Sequence, residues 1–114
     1  MLFRSSSIGV KAANIATMQS YGFPEGTVPK GYAVPFYYYD EFMKHNGFYD
    51  YVVGLLENSE FQDDRDTQIS ELKKLRSLIK KGKMPVWMMD QLDDLHASFP
   101  KGSSVRCQIG RAHV

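Results

Sequence analysis

Apolar residues recur at three- and four-residue spacing in five stretches of this chain, separated by polar and glycine-rich breaks. The clearest stretch covers 64–81, where Ile69, Leu72, Leu75, Leu78 and Ile79 predict an apolar helical stripe. Asp63, Asp64 and Asp66 crowd its start, Lys80 and Lys81 its end, and Gly82 closes it, as the helix dipole favours. Pro85 suits a first helical turn and opens the next helix, 85–98, with Val86, Met89, Leu92, Leu95 and Phe99 as its stripe. Upstream, 37–46 reads as a helix stopped by Asn46-Gly47, and 48–56 as a second short one carrying Tyr51, Val52, Leu55 and Leu56. The first helix runs over 9–20 with Ala12, Ile15, Ala16 and Gln19 in line, and Tyr21-Gly22 ends it.

The breaks predict the rest. Residues 1–7 read as an extended entry, and 58–63 as a polar link. Two prolines and several glycines over 23–31 leave no regular element there. Tyr32-Ala33-Val34-Pro35-Phe36 reads as a short strand that Pro35 confines to a sheet edge. Ser103 to Cys107 reads as a second strand, with Val105 on one side and Ser104 and Arg106 on the other. Several helices on few strands predict an α+β fold.

Composition narrows the picture modestly. The chain has 114 residues, one domain or part of one. Its 14 Lys and Arg against 13 Asp and Glu leave +1, so no global field favours nucleic acid or an anionic membrane as partner. Cys107 is alone, which rules out an internal disulfide and fits a reducing compartment. With no long apolar run at the N-terminus, the expected location is cytoplasmic.

Chemistry concentrates at Gly9-Val10-Lys11. A glycine permits a tight turn or close ligand approach, and a helix start presents unpaired N–H groups. A lysine in that first turn adds a mobile positive charge, so the arrangement suits an anion such as phosphate. It is not the longer P-loop pattern. His45, His96, His113 and Cys107 lack zinc-like spacing, so no metal site is expected, and no catalytic residue is assigned. Asp63-Asp64 and Asp93-Asp94 read as solvated or capping charge. The dense aromatic region 36–51 lacks the interleaved basic residues of a base-stacking platform. It fits core packing plus a partner-facing patch, which leaves a small non-enzymatic interaction module as an alternative function.

Gly9-Val10-Lys11-Ala12-Ala13-Asn14, then Gly22-Phe23-Pro24, Val28-Pro29-Lys30-Gly31-Tyr32-Ala33-Val34 and Tyr39-Asp40-Glu41-Phe42 occur in an ordered series. With the helix pair leading to Ser103-Ser104-Val105-Arg106-Cys107, this series resembles the N-terminal nucleotide-binding domain of the phosphoenolpyruvate synthase / pyruvate, phosphate dikinase family, over about residues 8–107. The resemblance implies the N-terminal part of an ATP-grasp-like domain. It implies a phosphotransferase that uses ATP and Mg²⁺ to phosphorylate a catalytic histidine elsewhere in the protein, which then passes the phosphoryl group to pyruvate to make phosphoenolpyruvate. Lys11 matches the family lysine at the nucleotide phosphates, with Gly9 beside it, and Arg106 is a weaker nucleotide-side candidate.

One departure stands at the C-terminal end. The family strand runs into Arg-Ser-Ser, whose arginine belongs at the position held here by Gln108. Residues 108–114, Gln-Ile-Gly-Arg-Ala-His-Val, are the heptapeptide that one frame of a common short-read sequencing adapter encodes. The expectation is therefore a native portion of the ATP-binding domain over 1–107 and a read-through tail over 108–114. On that expectation the Mg²⁺ ligands, the phosphohistidine and the pyruvate site lie outside this chain, and the chain alone is inactive.

Overall fold

The computed structural model describes residues 5–107. Helices form at α1 (Ser5–Ile8), α2 (Val10–Met18), α3 (Phe36–His45), α4 (Phe48–Leu56), α5 (Ser59–Asp63), α6 (Arg65–Lys81) and α7 (Val86–Ala97). No strand occurs among the described residues, which corrects the α+β expectation. Residues 32–35 are irregular, Phe36 already opens α3, and 103–107 are irregular too. A strand needs a neighbour to receive its backbone hydrogen bonds, and among the described residues neither stretch has one. Tyr32 and Val34 accordingly lie exposed. The read-through tail expected over 108–114 lies outside the described residues.

Two further segments differ from the sequence reading. Ser5–Ile8 is a short helix where an extended entry was expected. The polar link before α6 contains α5, started by Asn58, whose side chain accepts a hydrogen bond from the Phe61 N–H at 3.2 Å. Asparagine is among the best residues for that role, so polarity here marks a helix start.

The chain divides into two compact units. The first comprises, among the described residues, 5–38 and 99–107. Ile8 and Ala13 are buried in it, where α1 packs on α2, and the Tyr32 and Phe99 rings meet edge-on at 5.5 Å. Ala13 is the buried position of α2, with Ala12 and Ala16 of the expected stripe half-buried and Ile15 exposed.

The second unit, 39–98, is built around Met43, Phe48 and Met88. The Phe42 and Phe48 rings lie 5.9 Å apart. Gly82 fits between them and the end of α6: a Cβ there would stand 2.6 Å from Phe42 Cζ and 3.1 Å from Phe48 Cε2. Asn46, expected only to stop α3, does more. Its Nδ2 donates to the Phe42 carbonyl at 2.8 Å and the Lys83 carbonyl at 2.9 Å, while its Oδ1 accepts from the Lys83 N–H at 2.9 Å. That side-chain amide thus pairs both backbone groups of Lys83 and holds the link between α6 and α7. Gly47 follows at φ 69°, the left-handed conformation that favours glycine after a helix end.

Two helices turn differently from their predicted stripes. On α7 the inward positions are Pro85, Met88, Leu92 and Leu95, whereas Val86 is 77% exposed. On α6 the half-buried face holds Thr67, Gln68, Glu71, Leu75, Leu78 and Ile79. Glu71 accepts a hydrogen bond from the Tyr51 hydroxyl at 3.1 Å, and burial first, then this bond, pushes the Tyr51 phenol up. Ile69 and Leu72 remain exposed.

The α6 start is a titrating cap. Asp64 accepts from the Thr67 N–H at 3.0 Å and from the Thr67 hydroxyl at 2.6 Å. These bonds, the hydroxyl one foremost, hold its carboxyl below the ordinary aspartate value of 3.8. A depressed carboxylate stabilises the fold above its unfolded pKa and loses that contribution as pH falls through the folded one. Asp64→Asn keeps a capping oxygen but removes the charge. The expected outcome is a shallower acid-induced loss of far-UV circular dichroism below about pH 4, near the reference aspartate value, than in the parent chain. An unchanged acid transition would exclude this role. Asp40 is depressed in the same direction, by hydrogen bonds from Lys44 and then Tyr49, so Asp64→Asn reduces the slope without abolishing it.

Candidate functional site: the start of helix α2

The first unit carries all three residues singled out for an anion: Gly9, Lys11 and Arg106. Gly9 lies directly before α2 with φ 86° and ψ 156°, a backbone region essentially restricted to glycine. Its carbonyl accepts the first bond of the helix, from the Ala13 N–H at 3.1 Å. The N–H groups of Val10, Lys11 and Ala12 precede that bond and have no carbonyl within their own helix. Among the described residues no side chain caps this end, and the first turn holds no acidic residue. The positive end of the helix dipole is therefore uncompensated there by any side chain of α2.

Lys11 stands in that first turn, exposed, and among the described residues it has no ion-pair partner. Arg106 is likewise exposed and without an ion pair among the described residues, on the irregular stretch 103–107. The structure thus places Gly9 and Lys11 together at one helix start, and Arg106 in the same unit but on a separate segment. The helix start thus offers backbone donors and the Lys11 charge, and the first turn of α2 holds no carboxylate to neutralise them.

At the opposite end of α2 a cavity of about 280 Å³ opens between the helix and the following loop, lined by Met18, Gln19, Phe23, Gly26, Val28 and Lys30 among others. Gln19 Nε2 donates to the Pro29 carbonyl at 3.4 Å, and the Thr27 N–H closes a turn on the Pro24 carbonyl. Lys11 does not line this cavity; at ~1.5 Å of rise per residue it is roughly 10 Å along the axis from Met18. Sequence reading found no regular element over 23–31 and no cavity there. A concavity formed by a loop folding back on a helix end leaves no residue-spacing signal.

Among the described residues, no group of three or more His, Cys, Asp or Glu side chains is arranged to hold a metal ion. No helix among them is long and apolar enough to cross a membrane. Cys107 is exposed.

The family model described as pyruvate phosphate dikinase, AMP/ATP-binding domain, matches residues 5–108. The chain belongs to this family. The pyruvate phosphate dikinase match begins in α1 and extends one residue past Cys107, so it takes in Gly9, Lys11 and Arg106. It agrees with the ordered motifs from Gly9 to Cys107 on which the resemblance was drawn. Neither a curated protein nor a solved structure matches the chain.

Proposed function

We propose that this chain is the ATP-binding portion of a phosphotransferase of the pyruvate phosphate dikinase family, and that the start of α2 holds the nucleotide phosphates. The observation that carries the reading is the conjunction at one helix start of Gly9 in its glycine-only conformation with an N-terminus and a Lys11 that have no side-chain cap and no ion-pair partner among the described residues, inside a segment matched by an AMP/ATP-binding family model. The chemistry is consistent with that role. A nucleoside triphosphate, when bound, supplies the phosphoryl group. Lys11 would neutralise phosphate charge as a mobile ammonium, and the N–H groups of Val10, Lys11 and Ala12 would donate to phosphate oxygens. Gly9, lacking a Cβ, would let the backbone come close. Arg106 is assigned a supporting position on the nucleotide side. Phosphoryl transfer depends mainly on positioning and charge neutralisation, which suits a site made of donors and cations.

In this reading the full protein phosphorylates its own histidine and delivers the phosphoryl group to pyruvate, in the cytoplasm. We assign the Mg²⁺ ligands, with the histidine and the pyruvate site, to sequence outside 1–107, as the family resemblance implies. Residues 108–114 remain assigned as a read-through tail. The 114-residue chain alone is then expected to show no turnover with ATP and pyruvate. The family match favours this reading over an interaction module centred on 36–51, which requires no such match.

Lys11→Ala tests the site. Loss of one charge-assisted contact of about 1.5–3 kcal/mol corresponds to roughly ten- to a hundredfold weaker ATP binding. The measurement is ATP titration by calorimetry, in the full gene product where turnover is also followed. Unchanged affinity and turnover would remove Lys11 from the site.

A further inference from the structure

We propose that the cavity at the C-terminal end of α2 binds a free α-amino acid with a large apolar side chain. The cavity lies wholly within the first unit, and Lys11 is not among its lining residues. Its walls differ in chemistry. Met18, Phe23 and Val28 supply apolar surface, while Glu25 and Lys30 bring one carboxylate and one ammonium.

Three features hold these walls in place. Gln19 Nε2 reaches from the helix end to the Pro29 carbonyl. The Thr27 N–H bonds the Pro24 carbonyl at 3.1 Å and closes a turn whose third residue, Gly26, has φ 84°, as a type II turn requires. Glu25 sits at the corner of that turn. Pro24 and Pro29 fix φ at two points of the loop, so less backbone freedom is left to lose when a ligand enters.

The two charges select the ligand. Glu25 and Lys30 line the same cavity, yet among the described residues they form no ion pair with each other or with any other group. Opposite charges that share a small cavity without pairing suit a molecule that carries both. An α-amino acid bears its ammonium and carboxylate on one carbon. Its ammonium answers Glu25, its carboxylate answers Lys30, and its side chain takes the wall of Met18, Phe23 and Val28. Size agrees with this. An apolar cavity of about 150 Å³ holds benzene. The cavity here, about 280 Å³, takes a side chain of leucine or phenylalanine size together with its charged head. A phosphate would meet the Glu25 carboxylate, and a neutral apolar molecule would leave both charges unanswered.

Titration of the whole chain followed by amide NMR shifts tests this with L-leucine and three relatives. Isoamylamine lacks the carboxylate, isocaproate lacks the ammonium, and glycine lacks the apolar side chain. No ATP enters the titration, so the result stands apart from the nucleotide site. The expected result is saturable shifts over residues 18–30 with L-leucine. Glycine binds roughly ten- to a hundredfold more weakly, the effect of withholding a leucine-sized apolar group. Isoamylamine and isocaproate each bind about tenfold more weakly, since each forgoes one charge-assisted contact. Glu25→Gln weakens L-leucine about tenfold and leaves isocaproate within about twofold, whereas Lys30→Gln weakens L-leucine equally and leaves isoamylamine within about twofold. Both positions are exposed, and unchanged circular dichroism shows that the variants remain folded. Absence of saturation with L-leucine up to roughly 10 mM overturns the proposal. So do equal affinities for L-leucine and its two single-charge relatives, parental L-leucine affinity in either folded variant, or shifts centred outside 18–30. Tighter binding of inorganic phosphate than of L-leucine at these residues would assign Lys30 to an anion site and overturn it too.

Discussion

Phe48→Ala is expected to lower the unfolding free energy of the second unit by about 3–5 kcal/mol, the range for removing a buried aromatic ring. The effect is large because little else is fully covered there. Met43, Phe48 and Met88 are the buried hydrophobic side chains of that unit, at 4%, 7% and 3% exposure. Phe48 also touches the structure from two sides, with the Phe42 ring 5.9 Å away and Gly82 approaching so closely that a Cβ there would stand 3.1 Å from Phe48 Cε2. Removing the ring leaves a void that Gly82, with no side chain, cannot fill. Small domains have about 5–15 kcal/mol of stability in total, so this one substitution removes a large share of it. Urea denaturation followed by circular dichroism measures it. Val53→Ala on the same helix is the control, since Val53 is half exposed and a change within about 0.5 kcal/mol is expected. A Phe48→Ala loss no larger than the control would mean that the core lies elsewhere.

Gly9→Ala is expected to weaken ATP binding by about a hundredfold or more in the full gene product, while the second unit unfolds as before. At φ 86° and ψ 156° an L side chain is strained by about 1–3 kcal/mol, and the chain escapes by rotating this peptide. Rotation re-aims the N–H groups of Val10, Lys11 and Ala12 together and moves Lys11 with them. Several donors are lost at once, where Lys11→Ala loses one charge, so the larger effect belongs to the glycine. Calorimetry gives the affinity, and the urea transition assigned to the second unit gives the control. An affinity within about twofold of the parent, a difference of only ~0.4 kcal/mol, would show that the phosphates do not sit at this turn.

These two residues were unequally legible. Gly9 beside Lys11 could be singled out from sequence, because its neighbours form an ordered motif series. Phe48 could not be picked from nine aromatic residues between Tyr32 and Tyr51; Phe36, Tyr37 and Tyr39 are equally apolar in sequence and lie exposed. Asn46 read as a helix stop because the Asn-Gly pair is local, whereas its partner Lys83 is 37 residues away. Of the two helices bounding α5, the sequence reading placed 48–56 where the structure has it and 64–81 within one residue. It missed α5 between them, a five-residue helix too short to show an apolar period.

Sequence by itself determined the five longer helical segments, the family and the helix-start motif, because each depends on residues a few positions apart or on an ordered series of them. Tertiary structure alone decided which stripe of each helix is covered, and whether extended segments become strands. Val86 and Met89 formed as good a periodic stripe as Pro85 and Met88, and only packing turned the second pair inward. Tyr32 to Phe36 had the composition of a strand, but a strand is a relation between two segments, and no described segment pairs with it. The same rule exposes Ile69 and Leu72 on α6, where three-residue spacing alone had placed them in the core.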